Sequence, residues 1–298
     1  MRKHWLIFYA LSLCAAFCIG ILSKHIPFVI SKAKQYKMCV GNNTCQRGPL
    51  SIFSKKLAEE AAATAPTRPA GFCLPVPVLL YHHVQPQADA VQKGQTSLSV
   101  DSGIFDQQMG YLASHGYNAI SADTLVNAIL SHGSLPAKPV VITLDDAYLD
   151  NYTYAYPSFQ KYHLIGNLMV PTGLLGGNGG TNSYFSWDQL KQMVGSGLLF
   201  VYNHTWSHYS MGAGPKDKDT YEITTAQKQL QQNLGKTSPV FVYPYGSGQT
   251  TGWVQDLLKE NGFVAAFSTI PGVFQCEGNI MSLPRLHIGN APLSSYGL

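Results

Sequence analysis

The sequence predicts an α/β fold: a distorted (β/α) barrel of about seven parallel strands, preceded by an N-terminal transmembrane helix. Three observations carry this expectation. Seven short apolar runs, rich in β-branched residues, alternate with helical segments from residue 76 onward, the pattern of βα units on a parallel sheet. Seven strands within residues 72–298 suit one barrel-like domain better than two open sheets. Trp5 to Leu22 runs eighteen residues without a charge, ~27 Å as a helix, just long enough to cross a hydrocarbon core.

The N-terminal quarter divides in two. Arg2 and Lys3 precede the apolar span, as in a signal sequence, and no clean small-x-small cleavage site follows. That favours an uncleaved signal-anchor over residues 1–22 rather than a removed signal peptide. Residues 23–71 are basic and end in Pro, Thr and Gly, a stalk or linker. Residues 72–298 form the folded domain. PVPVLLYHHV opens it as a buried strand. Helices are expected over 105–115 and 121–131, with Asp101 and Ser121 as caps. A strand over 139–146 ends in two acids. A helix over 154–162, a strand over 166–170, a helix over 186–196 and a strand over 198–202 follow. Beyond them come a helix over 216–234, a strand over 239–243, a helix over 252–261 and strands over 264–268 and 283–288.

Charge excludes several functions. Charged residues are 12% of the chain, about half the usual ~25%, which argues against a disordered chain or a long coiled coil. Residues 1–71 hold ten Lys/Arg against two Glu, whereas residues 72–298 hold ten against fourteen Asp/Glu, a net −4. The basic character therefore belongs to the N-terminal segment, and nucleic-acid binding by the domain is disfavoured. Cys14 and Cys18 lie in the apolar span, and Cys39, Cys45, Cys73 and Cys276 outside it. Cys73 precedes the first barrel strand and Cys276 the last, which are neighbours in a closed sheet, so a Cys73–Cys276 disulfide is expected, with Cys39–Cys45 a weaker second. A stable bridge implies a compartment outside the cytoplasm.

In α/β barrels chemistry sits at the C-terminal strand ends. Asp145-Asp146 ends one strand. Two adjacent carboxylates repel there, and a metal ion or a shared proton resolves the conflict; the plain alternative is a turn or helix cap. His204 and His208, four apart after another strand, would meet on one face of a helical turn and chelate one ion. One carboxylate and two imidazoles leave positions open for water and substrate, as a catalytic site requires. Tyr243-Pro-Tyr-Gly246 is a tight turn whose N–H groups can face an oxyanion. Arg285 and His287 alternate in the last strand and point the same way. Arg285 is the only Arg after residue 68, which suggests a buried ion pair.

Together these segments resemble the polysaccharide deacetylase family, carbohydrate esterase family 4 or the NodB-homology domain, over residues 76–291. PVLLYHHV is similar to its first strand, VITLDDAY to its TFDDG motif, HTWSH to its H-[ST]-x-x-H motif and VYPYG to its RPPYG motif. LPRLHIG resembles the closing strand of the branch acting on poly-N-acetylglucosamine and peptidoglycan-like polymers. The resemblance implies Asp145 as catalytic base; Asp146, His204 and His208 as ligands of a divalent metal, most often Zn2+; Tyr245 as an oxyanion contact; and His287 as general acid. His83, at the end of the first strand, is a second acid or substrate contact, and Trp206 a further substrate contact. The motifs depart from the family in two places: Ala147 replaces a Gly, and Val242 replaces the Arg that steadies the base, a role Arg285 can take from a neighbouring strand. The implied activity is metal-dependent hydrolysis of N-acetyl groups from an N-acetylglucosamine-containing polysaccharide by a membrane-anchored enzyme outside the cytoplasm. A catalytically inactive glycan-binding member and a deacetylase or amidase for another acyl group are the alternatives.

Overall fold

Alternation along seven strands closes a parallel barrel. The computed structural model describes residues 69–298; the expected membrane span, most of the stalk and the Cys39–Cys45 pair lie outside them. The barrel strands are β1 (Val78–Tyr81), β2 (Pro139–Asp145), β3 (Gly166–Val170), β4 (Leu199–Asn203), β5 (Val240–Val242), β6 (Ala265–Pro271) and β7 (Leu283–His287). Each of β2 to β6 pairs in parallel with the next in chain order, β6 pairs with β7, and β1 lies between β7 and β2, closing the cylinder. Asn118–Ala119 adds a short parallel strand beside the start of β2. Among the described residues no helix is long and apolar enough to cross a membrane.

Period-two alternation assigns each side chain to a face. On β2, Val140, Ile142 and Leu144 join a cluster with Phe105, Met109 and Phe159 from the covering helices. Val141 faces the other way and packs with Val78, Met169, Tyr202, Val240, Val242, Phe267 and Leu283, one or more from every barrel strand. These residues fill the barrel's interior. The same alternation carries Thr143, Asp145 and Arg285 inward.

Among the described residues six helices cover the barrel, and at the starts of three of them side chains satisfy free N–H groups. They are α1 (Ser102–Ser114), α2 (Ala122–Leu130), α3 (Tyr156–Tyr162), α4 (Trp187–Gly195), α5 (Lys216–Leu234) and α6 (Gly252–Glu260). Asp101 caps α1 by accepting from the amides of Gly103 and Ile104, and Ser121 caps α2 by accepting from Thr124. Ser186 and Gln189 form a reciprocal capping box on α4. One element differs in kind from expectation: the segment before α3 begins at Asn151 as a π-helical turn, Asn151–Ala155. Asn151 is buried there and donates to the carbonyl of His82, tying the turn to the end of β1.

Cys73 and Cys276 are disulfide-bonded, with Cα atoms 4.1 Å apart. Adjacent barrel strands do not bring them together. An antiparallel ribbon outside the barrel, Cys73–Pro75 against Phe274–Cys276, sets the two cysteines directly opposite each other. Glu277 extends the ribbon: it accepts from the Phe72 amide and pairs with His132, whose ring stacks on Phe72. The bridge closes a loop of sequence separation 203, so its chain-entropy contribution is about 5 kcal/mol at most. Cys73→Ser should therefore lower the denaturation free energy of the full chain by up to that amount, and reductant should lower the wild type to the same level. Urea titrations with and without reductant check this; a wild type indifferent to reductant contradicts it.

Candidate active site

The C-terminal strand ends converge on a cleft of about 410 Å³. Leu80, His82, Asp145, Asp146, His204 and His287 line it from the strands, and Tyr148, Tyr184, His208 and Tyr245 from the loops.

At its floor, Arg285 is 1% exposed and takes both oxygens of Asp145, Nη1 to Oδ1 and Nη2 to Oδ2, each at 2.8 Å. Its Nε donates to the Ser268 carbonyl and Nη1 also to the Thr143 hydroxyl. This fork-to-fork pairing fixes the carboxylate in both distance and plane. Burial acts to raise the Asp145 carboxyl, but the Arg285 charge and hydrogen bonds, aided by His204, outweigh it and hold the group below the usual carboxylate range.

Asp146 turns the other way. Its Oδ1 lies 3.2 Å from His204 Nε2 and 3.0 Å from His208 Nε2. Burial opposes its ionisation, yet the two imidazoles hold its carboxyl well below the ordinary range. The far nitrogens are both hydrogen-bonded. His204 Nδ1 donates to the Val242 carbonyl at 2.8 Å, and His208 Nδ1 lies 2.9 Å from the Tyr245 hydroxyl. A carbonyl only accepts, so a neutral His204 carries its proton on Nδ1 and turns its Nε2 lone pair towards Asp146, as a metal ligand would; the Tyr245 hydroxyl can donate or accept, so either tautomer of His208 satisfies it. His208 Nε2 is buried and makes no aligned hydrogen bond despite its proximity to Asp146. Three electron-pair donors all within 4.8 Å of one another are what a divalent cation takes up, and the hydrogen-bonded far nitrogens are the support such ligands use. Asp146, His204 and His208 fit a metal.

Strain marks the same residues. Asp146, Ala147, Thr205, His208 and Tyr245 all have φ between 58° and 76°, a region costing a non-glycine residue about 1–2 kcal/mol and clustering at functional sites. His204 and His208 are therefore not on a helical turn, contrary to expectation. Asn203 ends β4 and the chain then loops, with left-handed residues at 205 and 208 folding the second imidazole back towards the first. Ala147, in place of glycine, is strained at φ 62°. Ala147→Gly would relieve that strain but lose a buried methyl worth ~0.8 kcal/mol and add unfolded-chain entropy. Its stability should stay within about 1 kcal/mol of wild type by urea denaturation.

Two expected contacts lie elsewhere. His83 is buried outside the cleft, pairs with Asp150 at 2.6 Å and stacks on Tyr148 at 3.5 Å. It lines a separate cavity with Gln85, Lys93 and Asp150. The strand's alternation carries Val78, Leu80 and then His82 inward, so the neighbouring residue takes the place expected of His83. His82 lies edge-on to His287, 5.6 Å between ring centroids, and burial lowers its pKa against the pull of Asp146 and Asp145. Trp206 also lies outside the cleft: its ring packs over Gly173, where a Cβ would sit 2.5 Å from Nε1, and edge-on to Tyr221. Tyr245 is in the cleft, 72% exposed, with its hydroxyl on His208. His287 stands at the mouth.

Removing Arg285 exposes what it does. Arg285→Met leaves Asp145 buried without its cation, a change costing about 3–5 kcal/mol; in the Asp145→Asn/Arg285→Met double variant part of that loss should return. Wild-type Asp145 is depressed, so its pair stabilises fully above the unfolded carboxylate value of ~3.9 and is lost as pH falls through the lower folded value. Denaturation from pH 7 to pH 3 should show a steeper acid-side loss in wild type than in the double variant, which keeps the contribution of Asp146 but not that of Asp145.

Residues 132–266 match the family model described as polysaccharide deacetylase. The chain is 25% identical over 251 residues to the poly-β-1,6-N-acetyl-D-glucosamine N-deacetylase of Escherichia coli K12, an alignment covering 71% of this chain and 36% of that protein. The chain thus spans about a third of that relative's length. The structure of IcaB from Ammonifex degensii is similar at 27% identity and a TM-score of 0.63, over 72% of this chain and 91% of that one. The Streptococcus pyogenes deacetylase PplD, solved with acetate, shares the fold at 24% identity and a TM-score of 0.63, over 74% and 93% of the two chains.

Proposed function

We propose that this chain, which belongs to the polysaccharide deacetylase family, hydrolyses N-acetyl groups of an N-acetylglucosamine polymer with the help of a divalent cation, Zn2+ in the first instance. The observation that carries the reading is the division of two adjacent carboxylates, one clamped by Arg285 and the other facing the Nε2 atoms of two imidazoles. A cation held by Asp146, His204 and His208 would polarise the acetamide carbonyl and acidify a water.

Every other part of the reaction falls to the chain's own groups. Asp145 accepts the proton of the attacking water. Arg285 keeps that carboxylate ionised and turned to one face, as a general base needs. An imidazole at the end of β7 or β1, His287 at the mouth or His82 beside it, returns a proton to the departing amine. In the tight turn at Tyr243–Gly246 the Tyr243 and Gly246 amides donate to the Phe267 and Tyr243 carbonyls and Pro244 has no N–H, so the Tyr245 amide is the turn's candidate donor to an oxyanion. Tyr184 and Tyr245 offer ring faces to sugars, and the net −4 of residues 72–298 does not repel the cationic amine product. The name of the E. coli relative supports poly-β-1,6-N-acetylglucosamine as the first polymer to test. The Cys73–Cys276 bridge supports a location outside the cytoplasm.

The full chain, stripped of metal and reloaded with Zn2+, should release acetate from this polymer only when loaded. His204→Ala and His208→Ala should lose zinc and nearly all activity, whereas Asp145→Asn should keep zinc and lose about 10²-fold or more in rate. Arg285→Met frees Asp145 from its cation, so burial dominates, its pKa rises and the acid limb of kcat/KM moves to higher pH. Zinc retained by His204→Ala at wild-type affinity, or acetate release by the metal-free chain, would refute the assignment.

A further inference from the structure

The loop carrying both imidazoles is strained at Thr205 and His208, and the side chain that holds it in place comes from a helix. Glu222, on α5, is fully buried and accepts three hydrogen bonds from two consecutive loop residues. The Trp206 amide donates to Oε2 at 3.1 Å, the Ser207 amide to Oε2 at 2.8 Å and the Ser207 hydroxyl to Oε1 at 2.7 Å. Residues 206 and 207 lie between His204 and His208, so this carboxylate grips the segment that sets their separation. Lys218, one turn earlier on the helix, pairs with Glu222 Oε1 at 2.7 Å, and its ammonium lies 5.2–5.9 Å from the ring centres of Trp206, Tyr209 and Tyr221. The same helix face continues the grip on either side. Asn203 donates to the Ile223 carbonyl, and Asp219 accepts from the Gly212 amide.

We infer that Glu222 is a positioning residue that presets His204 and His208 for a divalent cation, folding the ligand loop before the ion arrives. The inference rests on the metal-site reading above. A buried charge bonded to two amides and a hydroxyl, and paired with Lys218, has no role in the core packing of α5, which Ile223, Ala226 and Leu230 supply. Its charge-assisted bonds instead offset the left-handed backbone at 205 and 208. Such support acts on ligand orientation, and its loss typically weakens metal affinity by about 10–100-fold.

Co2+ added to the metal-free full chain tests this through its visible absorption, which reports ligand geometry, and through affinity measured by chelator competition. Glu222→Gln should raise the Kd for Co2+ by about 10–100-fold, alter the absorption band and speed amide exchange over residues 205–209 in the metal-free chain. Leu230→Ala, a core truncation of the same helix, should lower stability and change neither Kd, band nor exchange in that loop. Ser207→Ala removes one of the three bonds from the loop side and should raise Kd by a smaller factor, which keeps the test open if Glu222→Gln does not fold. An unchanged Kd in Glu222→Gln, or in Ser207→Ala where the former does not fold, overturns this inference alone. So does an equal loss of affinity in Leu230→Ala. A wild-type chain that takes up no divalent ion overturns the metal-site reading and this inference with it.

Discussion

The bidentate pair between Arg285 and Asp145 is the constraint on which the site depends. Two carboxylates follow one another at the end of β2, and in a buried cleft their mutual repulsion is large unless each is neutralised separately. Arg285 does this for one of them with a planar fork that occupies both oxygens. Asp146 is left to the imidazoles. The two acids thereby acquire different chemistry although they are neighbours in sequence: one is a fixed, ionised acceptor and the other a ligand. The guanidinium reaches Asp145 because β7 and β2 both adjoin β1 in the closed barrel, so closure of the sheet and ionisation of the base are coupled.

Backbone geometry around the cleft is unfavourable locally and sustained by long-range contacts. Five non-glycine residues hold left-handed conformations there, at a combined cost that is a large share of a domain's net stability. The surrounding hydrogen bonds over-determine them. Val242 fixes His204, Tyr245 meets His208, Asn203 turns back on Thr205, and Glu222 holds the chain between the two imidazoles. The irregular segment is rigid in effect because its polar groups close on a strand and a helix.

Much of this was legible in the chain before its structure. Seven apolar runs with helical segments between them led to a seven-stranded barrel. The chemistry-bearing residues fell at strand ends, the lone Arg of the domain in a low-charge context pointed to a buried ion pair, and the family resemblance, with Val242 where its motif has Arg, named Asp145 as the partner. Misreadings came where a local rule met an irregular backbone. Spacing of four placed His204 and His208 on a helical turn, but the chain there is a loop. Two adjacent histidines end β1, and only the inward phase of the strand, set by Val78 and Leu80, selects His82 over His83. Trp206 sits between two site residues yet points away, against Gly173. The Cys73–Cys276 pairing was anticipated, but through barrel adjacency rather than the ribbon that forms it.

By itself, the sequence determined the class of fold, the strands whose ends bear the chemistry, and the residue types gathered there, because period-two and period-3.6 patterns and cap residues act over a few neighbours. The tertiary structure decided which histidine faces the cleft and which residue steadies the ligand loop, and it set the bidentate geometry of the guanidinium on Asp145. Those outcomes depend on strand phase and on contacts between residues far apart, such as the 140 positions separating Asp145 from Arg285. Nothing in the neighbourhood of Glu222 in the chain distinguishes it from an exposed helical acid paired with Lys218. Only when α5 packs behind the loop does its carboxylate find three donors and leave solvent altogether.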